Sequence, residues 1–389
     1  MPTIMISCGE ASGDAYAGAL TRELRRLRPD LGFTGFGGDN LRAAGADLVG
    51  DFRGLTVTGL VEAIRVLPRA WRMQRALVAR MDRERPAALV VIDFPDFNFP
   101  LAAQARKRGI PVVYYVCPQL WAWRTGRVRT LKAVATRALV IFPFEPAFFH
   151  AHDVPVEFVG HPLLDLVPPP ADRAAVLAGA GLRPDAPTVA LLPGSRPNEV
   201  ASTMRTLVDA IPLIRAREPR AQFLVARAPS LPDRLFASLP LGSDARTAIL
   251  TGRADDVLSA SDVVITASGT ATVQTALHEK PMVIVYRLSP LSYQLGRHFV
   301  HVETFGMVNL VAGETVATEL IQDAFTPEAV ARETLAVLMD PERAARVRAS
   351  LRAVKARLGE PGASRRAALR VLEASGLQRS DVGIPVPSD

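Results

Sequence analysis

Apolar positions in the first half of the chain fall into short unbroken runs set between longer amphipathic stretches. Ile4–Ser7, Phe33–Gly37, Ala88–Ile92, Val112–Val116 and Ala138–Phe142 read as buried strands. Between them Asp14–Leu27, Val61–Arg83, Asn98–Arg108 and Thr125–Thr136 carry helical spacing, with Val61–Arg83 expected to bend or break at Pro68. Such alternation predicts a parallel sheet covered by helices on both faces. The run Val167-Pro168-Pro169-Pro170 interrupts the pattern and marks a domain boundary.

The pattern then restarts. Thr188–Leu192, Gln222–Ala226, Ala248–Thr251, Val263–Thr266 and Met282–Tyr286 read as strands, with Asn198–Arg217 and Thr270–His278 as helices. Pro327–Leu377 is rich in Ala and Arg and reads as helical, ahead of a loose polar tail. The expected organisation is an α/β fold of two Rossmann-like domains. They would span residues 1–166 and 171–345, and the C-terminal segment 346–389 would pack back on the first. In such folds ligands bind beyond the carboxyl ends of the strands, here in a cleft faced by both domains.

Composition adds limits more than direction. Of 389 residues, 49% are hydrophobic and 22% charged, the balance of a folded globular protein too long for one core of ordinary size. No run approaches the ~18 consecutive apolar residues of a transmembrane helix. The first apolar run lacks a basic flank, so it does not read as a signal peptide and a cytoplasmic location is expected. Cys8 and Cys117 have no metal or redox spacing and read as small buried hydrophobes. A net charge of +7 suits an anionic partner, yet nearly all the positive charge is Arg, which a compositional bias explains as well. Charge alone decides little.

Four loops carry candidate chemistry. Gly9-Glu10-Ala11-Ser12-Gly13-Asp14 follows the first strand and opens a helix, where backbone N–H groups meet an anion or hydroxyl. Its glycines lack dinucleotide-fingerprint spacing, and a plain strand-to-helix turn fits equally. Asp93 and Asp96 end another strand as candidate bases, against a competing role for Asp96 or Asn98 as a helix cap. At Gly194-Ser195-Arg196, backbone donors and a guanidinium fork suit phosphate, or the loop is an ordinary turn. Ser268-Gly269-Thr270 starts a helix whose dipole and hydroxyls suit a departing diphosphate, or supply a simple cap. There is no Asp-x-Asp pair and no histidine spacing for a metal, so a metal-free mechanism is expected.

Two further segments stand out. Arg65, Arg69, Arg72, Arg75, Arg80 and Arg83 accompany Trp71, Met73 and Leu77, the composition of an interfacial membrane helix or of an ordinary amphipathic surface helix. Pro118–Arg124 sets Trp121 and Trp123 beside Arg124, as a site wall or an aromatic plug.

Taken in order, these motifs resemble one family, lipid-A-disaccharide synthase. The matching blocks are Gly9–Asp14, Gly59–Glu62, Asp93–Asn98, Trp121–Arg124, Phe142–Glu145, Gly160–Leu163, Leu192–Arg196, Ser268–Thr272, Pro281–Val283, Tyr286-Arg287, Asn309–Gly313 and Glu319–Gln322. The resemblance implies the glycosyltransferase B type of two-Rossmann-domain fold and a metal-independent, cofactor-free, inverting transfer. It implies UDP-2,3-diacylglucosamine as donor and 2,3-diacylglucosamine 1-phosphate as acceptor, giving the β(1→6) lipid A disaccharide and UDP. By the same resemblance Asp96 is the base, Arg196 lies near phosphate, and Ser268, Gly269, Thr270 and Asn309 lie near UDP. Glu10 and Ser12 face the cleft. An anionic membrane surface at the inner face of the inner membrane and a second copy in a homodimer join the implied partners; nucleic acid does not.

The sequence departs from the family pattern at three places. Gln274 stands where the family carries Glu, a ribose ligand; it keeps an acceptor oxygen and loses the charge. Cys117 stands where Ser is usual, and Phe305–Val308 is atypical. Two other readings remain: a UDP-sugar epimerase, or transferase with a soluble acceptor, on the same fold; and a non-enzymatic basic protein binding a membrane or nucleic acid through arginine.

Overall fold

A computed structural model describes residues 1–53, 55, 60–122, 125–237, 244–287 and 306–378, with side chains 60–65 outside the description. Two compact units emerge. The first takes in residues up to 56, Val61–Asp165 and the C-terminal segment from Gly359; the second takes in Leu166–Leu358.

The first unit holds a seven-stranded sheet: β1 (Thr3–Cys8), β2 (Gly32–Gly37), β3 (Asp47–Asp51), β4 (Ala88–Ile92), β5 (Val112–Tyr115), β6 (Arg137–Val140) and β7 (Val156–Phe158). Their spatial order is β3-β2-β1-β4-β5-β6-β7 and every pairing is parallel. The central strand β4 is apolar and buried end to end, and β1 is buried from Ile4 to Cys8, as strands covered on both faces must be. The helix Ala363–Ala374 packs against the helix Ala11–Leu27, and its first turn is capped by Asp165, whose carboxylate accepts from the backbone N–H groups of Gly362 and Ser364.

In the second unit lie six parallel strands, β8 (Thr188–Leu192), β9 (Gln222–Arg227), β10 (Thr247–Thr251), β11 (Val263–Ala267), β12 (Met282–Tyr286) and β13 (Thr318–Ile321). Their order is β10-β9-β8-β11-β12-β13. Both sheets are thus doubly wound, and each reverses its strand order at one place: between β1 and β4, and between β8 and β11. Those reversals are where such folds open a ligand crevice.

Some local expectations change. The helix Leu60–Glu84 runs as one element with Pro68 inside it rather than two halves. The helix expected from Asn98 begins at Pro95, whose fixed φ and missing N–H suit a first helical position. Strands β3, β7 and β13, absent from the pattern reading, all lie at sheet edges.

Candidate active site

In the first unit the register pairs Cys8 with Ile92, so the loops leaving β1 and β4 emerge side by side at the carboxyl edge. The chain leaves β4 through Asp93 (φ 44°) and Phe94 (φ 48°), two successive non-glycine residues in the left-handed region. This turn drives the Phe94 ring onto Gly9, where a Cβ would lie 2.1 Å from ring atoms. Gly9 is therefore required by close approach, not by its own φ. Beneath the turn, fully buried Asn98 ties the two strand ends together. Its Oδ1 accepts from the Ser7 hydroxyl at 2.7 Å, and its Nδ2 donates to the carbonyls of Asp93 at 2.8 Å and Ile92 at 3.2 Å.

The cap reading of Asp96 and Asn98 is overturned, because Phe94 occupies the cap position and no side chain caps the helix. Asp96 lies in the first turn, 63% exposed, with Arg127 Nη2 2.6 Å from its Oδ1. Glu10, extended at φ −144°, precedes the first turn of the Ala11–Leu27 helix, and Ser12 is half-buried within that turn. Asp14 on the same helix is a structural acceptor. Its buried carboxylate takes the backbone N–H groups of Gly38 (2.7 Å), Asn40 (2.9 Å) and Leu41 (3.1 Å), together with the Asn40 amide, and so caps the short helix Asp39–Ala43.

Beside this edge sits an aromatic cluster. Trp121 packs edge-on against Phe144, which stacks on Phe142, which in turn meets His161. Glu145 is buried among them and accepts from the N–H groups of Ile141 (3.1 Å) and Phe142 (2.9 Å) and from Trp121 Nε1 (3.3 Å). Burial pushes its carboxyl up to about 7, against the pull of those donors. Burial alone lowers His161 to about 3; its Nδ1 accepts from Leu163 N–H, so Nε2 carries the proton of a neutral ring. Trp121 is thus part of a packed cluster; Trp123, Arg124, Gly59 and Phe305 lie outside the described residues, as do the side chains of Leu60–Glu62.

In the second unit Leu192 pairs with Thr266, which sets the Gly194 loop beside the Ser268 loop at the carboxyl edge. Gly194 adopts φ +121°, a conformation open to glycine. The N–H groups of Ser195 (3.1 Å) and Arg196 (3.3 Å) both donate to Glu199 Oε2, while Arg196 Nη1 reaches Glu199 Oε1 at 2.6 Å. Two backbone donors and one guanidinium nitrogen of this loop are thus directed to the Glu199 carboxylate, and the Arg196 side chain stays 29% exposed. Gly269 (φ +141°) forms the cap position of the helix Thr270–Leu277, and no side chain caps it, so the simple Ser or Thr cap is not what forms. Thr270 is exposed at the start of that helix, and Ser268 is anchored by its N–H to Val285.

Gln274, one turn further along, donates its amide to Asp255 Oδ1 at 2.8 Å, and His278 Nε2 meets the same oxygen at 2.8 Å. Asn309 is buried, and its side chain is fully occupied. Oδ1 accepts from Val316 and Ala317 N–H, and Nδ2 donates to the Ala317 carbonyl and to Glu319 Oε1 at 2.7 Å. The partners Arg127, Glu199, Asp255 and Glu319 were not singled out as site residues from the sequence. Only Glu199 lies near its partner in the chain; Arg127 follows Asp96 by more than thirty residues with no spacing signal.

The chain matches the family model described as lipid-A-disaccharide synthetase over residues 4–372. It is 43% identical over 378 residues to a lipid-A-disaccharide synthase of Geobacter sulfurreducens, covering 96% of this chain and 98% of that one. Among solved structures, the S. aureus MnaA complex with UDP superposes with TM-score 0.68 at 13% identity over 98% of this chain and all of the other. The calicheamicin glycosyltransferase CalG4 superposes with TM-score 0.59 at 18% identity, covering 97% of this chain and 98% of that one. At such identities these structures speak for the fold alone, two parallel-sheet α/β domains of the glycosyltransferase B type. The family match over nearly the whole length goes further: this chain belongs to the lipid-A-disaccharide synthase family.

Proposed function

We propose that the protein transfers the 2,3-diacylglucosaminyl group of UDP-2,3-diacylglucosamine to the 6-hydroxyl of 2,3-diacylglucosamine 1-phosphate. The carrying observation is the family match across residues 4–372. The acceptor oxygen attacks the donor's anomeric carbon from the face opposite UDP, the bond from that carbon to the diphosphate breaks, and the electron pair leaves with UDP. Inversion gives the β(1→6) link. The hydroxyl proton passes to Asp96, whose other oxygen Arg127 holds in place.

The charge that develops on UDP is met by the start of the Thr270–Leu277 helix, with Ser268, Gly269 and Thr270, and by Arg196. Glu10 and Ser12 contribute from the acceptor side. The buried Asn309 acts at one remove, fixing Glu319 and the turn before β13. No step needs a metal or an organic cofactor.

Both substrates carry acyl chains, which calls for work at an anionic membrane surface, on the cytoplasmic face of the inner membrane. Among the described residues no helix is long and apolar enough to cross a membrane, and the helix Leu60–Glu84 leaves Leu67 and Trp71 more than half exposed. The proposed working form includes a second copy of the chain. The epimerase reading is not favoured, since the family match names a disaccharide synthase while the fold is common to both.

Purified protein incubated with both acylated substrates should yield a disaccharide 1-phosphate by mass and one UDP per product. UDP release that is indifferent to the acylated acceptor would count against the reading.

A further inference from the structure

The second unit holds a carboxylate, Asp255, that none of the roles above uses. Asp255 stands in the first turn after β10, on the same carboxyl edge as the loops that follow β8 and β11. Its Oδ1 is saturated by two donors, Gln274 Nε2 and His278 Nε2, each at 2.8 Å. Because a carboxylate only accepts, these contacts fix the groups around it: Gln274 turns its NH2 inward, and His278, almost fully buried, presents a protonated Nε2. Asp255 itself keeps 30% of its side chain exposed. Among the described residues nothing donates to its Oδ2, nor to Gln274 Oε1. Burial works to raise the Asp255 carboxyl, and the hydrogen bonds from His278 and Gln274 outweigh it, so the net direction is below the usual carboxylate range.

Two side chains joined by a hydrogen bond therefore each keep an open acceptor, the charged Asp255 and the neutral Gln274 one helical turn beyond Thr270. They match two hydroxyl donors on neighbouring carbons. We infer that Asp255, oriented by Gln274 and His278, binds a vicinal diol of the donor nucleotide, the ribose 2′- and 3′-hydroxyls, and supplies the charge that Gln274 lacks at the position where the family pattern has Glu. The inference rests on the proposed UDP site and sharpens it. It also accounts for the pairing of residue types. A Glu at 274 would set a second carboxylate against Asp255, whereas Gln donates to it.

The test is calorimetric binding of UDP and of 2′,3′-dideoxy-UDP to the full chain. Wild type should prefer UDP by about tenfold or more, the scale of losing hydrogen bonds to a charged acceptor. Asp255→Asn should lose about tenfold for UDP and leave dideoxy-UDP unchanged, so the preference collapses. In the Asp255→Ala background, Gln274→Glu should restore it, an outcome no merely structural role would give. Equal binding of the two nucleotides by wild type, as a hexose diol at this place would produce, overturns the inference while leaving the UDP site standing. A preference that survives in Asp255→Asn overturns it too. If neither nucleotide binds wild type, the proposed UDP site itself falls and the inference with it.

Discussion

Gly9 and Gly269 lie in two of the four candidate loops and are glycine for different reasons. At Gly9 the obstacle is the Phe94 ring, 2.1 Å from where a Cβ would be. Gly269 has nothing within 4 Å of that point, but its φ of +141° belongs to glycine. Each Gly→Ala change should cost about 1–3 kcal/mol in denaturant unfolding. Adding Phe94→Ala should relieve much of the Gly9→Ala loss and none of the Gly269→Ala loss, a non-additivity that separates the causes. At Asp96 the expectation is chemical. Asp96→Asn keeps the shape, weakens a partly exposed ion pair, and so should hold its stability within about 1 kcal/mol. Its kcat should fall about 10²- to 10⁴-fold if it removes the base, and near-wild-type turnover in a folded variant would end that assignment. The candidate loops were legible in sequence because each follows a buried strand directly. Their partners were not. Arg127 reaches Asp96, and Asp255 reaches Gln274, through tertiary packing that leaves no periodic trace, and the ion pair of Arg196 with Glu199 and the full engagement of Asn309 were equally invisible.

Elements differ in legibility by position in the sheet. Interior strands such as β4 and β11, buried at every residue, betray themselves as uninterrupted apolar runs. The missed strands β3, β7 and β13 are three to five residues long, partly exposed, and carry charges, as edge strands do. Helix starts shifted where tertiary contacts replaced local caps. Asp14 is the sharpest case, an acidic residue inside one helix that caps another. Asp14→Ala should strip acceptors from three backbone N–H groups and cost about 2 kcal/mol, a loss seen as a lowered unfolding midpoint. The Leu60–Glu84 helix resolves into two faces. Leu77 and Met81 are fully buried, whereas Leu67 and Trp71 are exposed with the Arg75 guanidinium 3.5 Å from the Trp71 ring. Its arginines are not uniformly available: Arg69 leans toward Asp51, and Arg80 pairs with Asp47 and Glu84. Membrane attachment through this face therefore predicts that Trp71→Ala weakens sedimentation with anionic vesicles about tenfold. Turnover on detergent-dispersed substrate should be unchanged; equal vesicle binding by the variant would move the attachment elsewhere.

Two groups in one aromatic cluster, Glu145 and His161, carry shifts that oppose each other. Glu145 is raised to about 7 by burial, so the folded state holds a proton that the unfolded chain releases above its ordinary value near 4.5. Its contribution is fully present below 4.5 and is lost as pH rises through 7. His161 is lowered to about 3, so the unfolded chain takes up a proton near 6.5 that the folded ring refuses. That contribution is present above 6.5 and is lost as pH falls toward 3. Between about 4.5 and 6.5 the two slopes, each about 1.4 kcal/mol per pH unit at full strength, have opposite sign and cancel in the wild type. Removing either partner should expose the other. With Glu145→Gln, stability relative to wild type should fall by about 2–3 kcal/mol on going from pH 6.5 to 4.5, because His161 then acts alone. With His161→Asn, which keeps an acceptor for the Leu163 N–H, it should rise by a similar amount over the same interval. Other titrating groups are shared and drop out of these differences, so a fixed offset between parent and variant measures packing while the slope measures the proton. Urea unfolding at half-unit pH steps decides the matter. Difference curves that stay flat for both variants would mean that water reaches the cluster and that neither group is shifted.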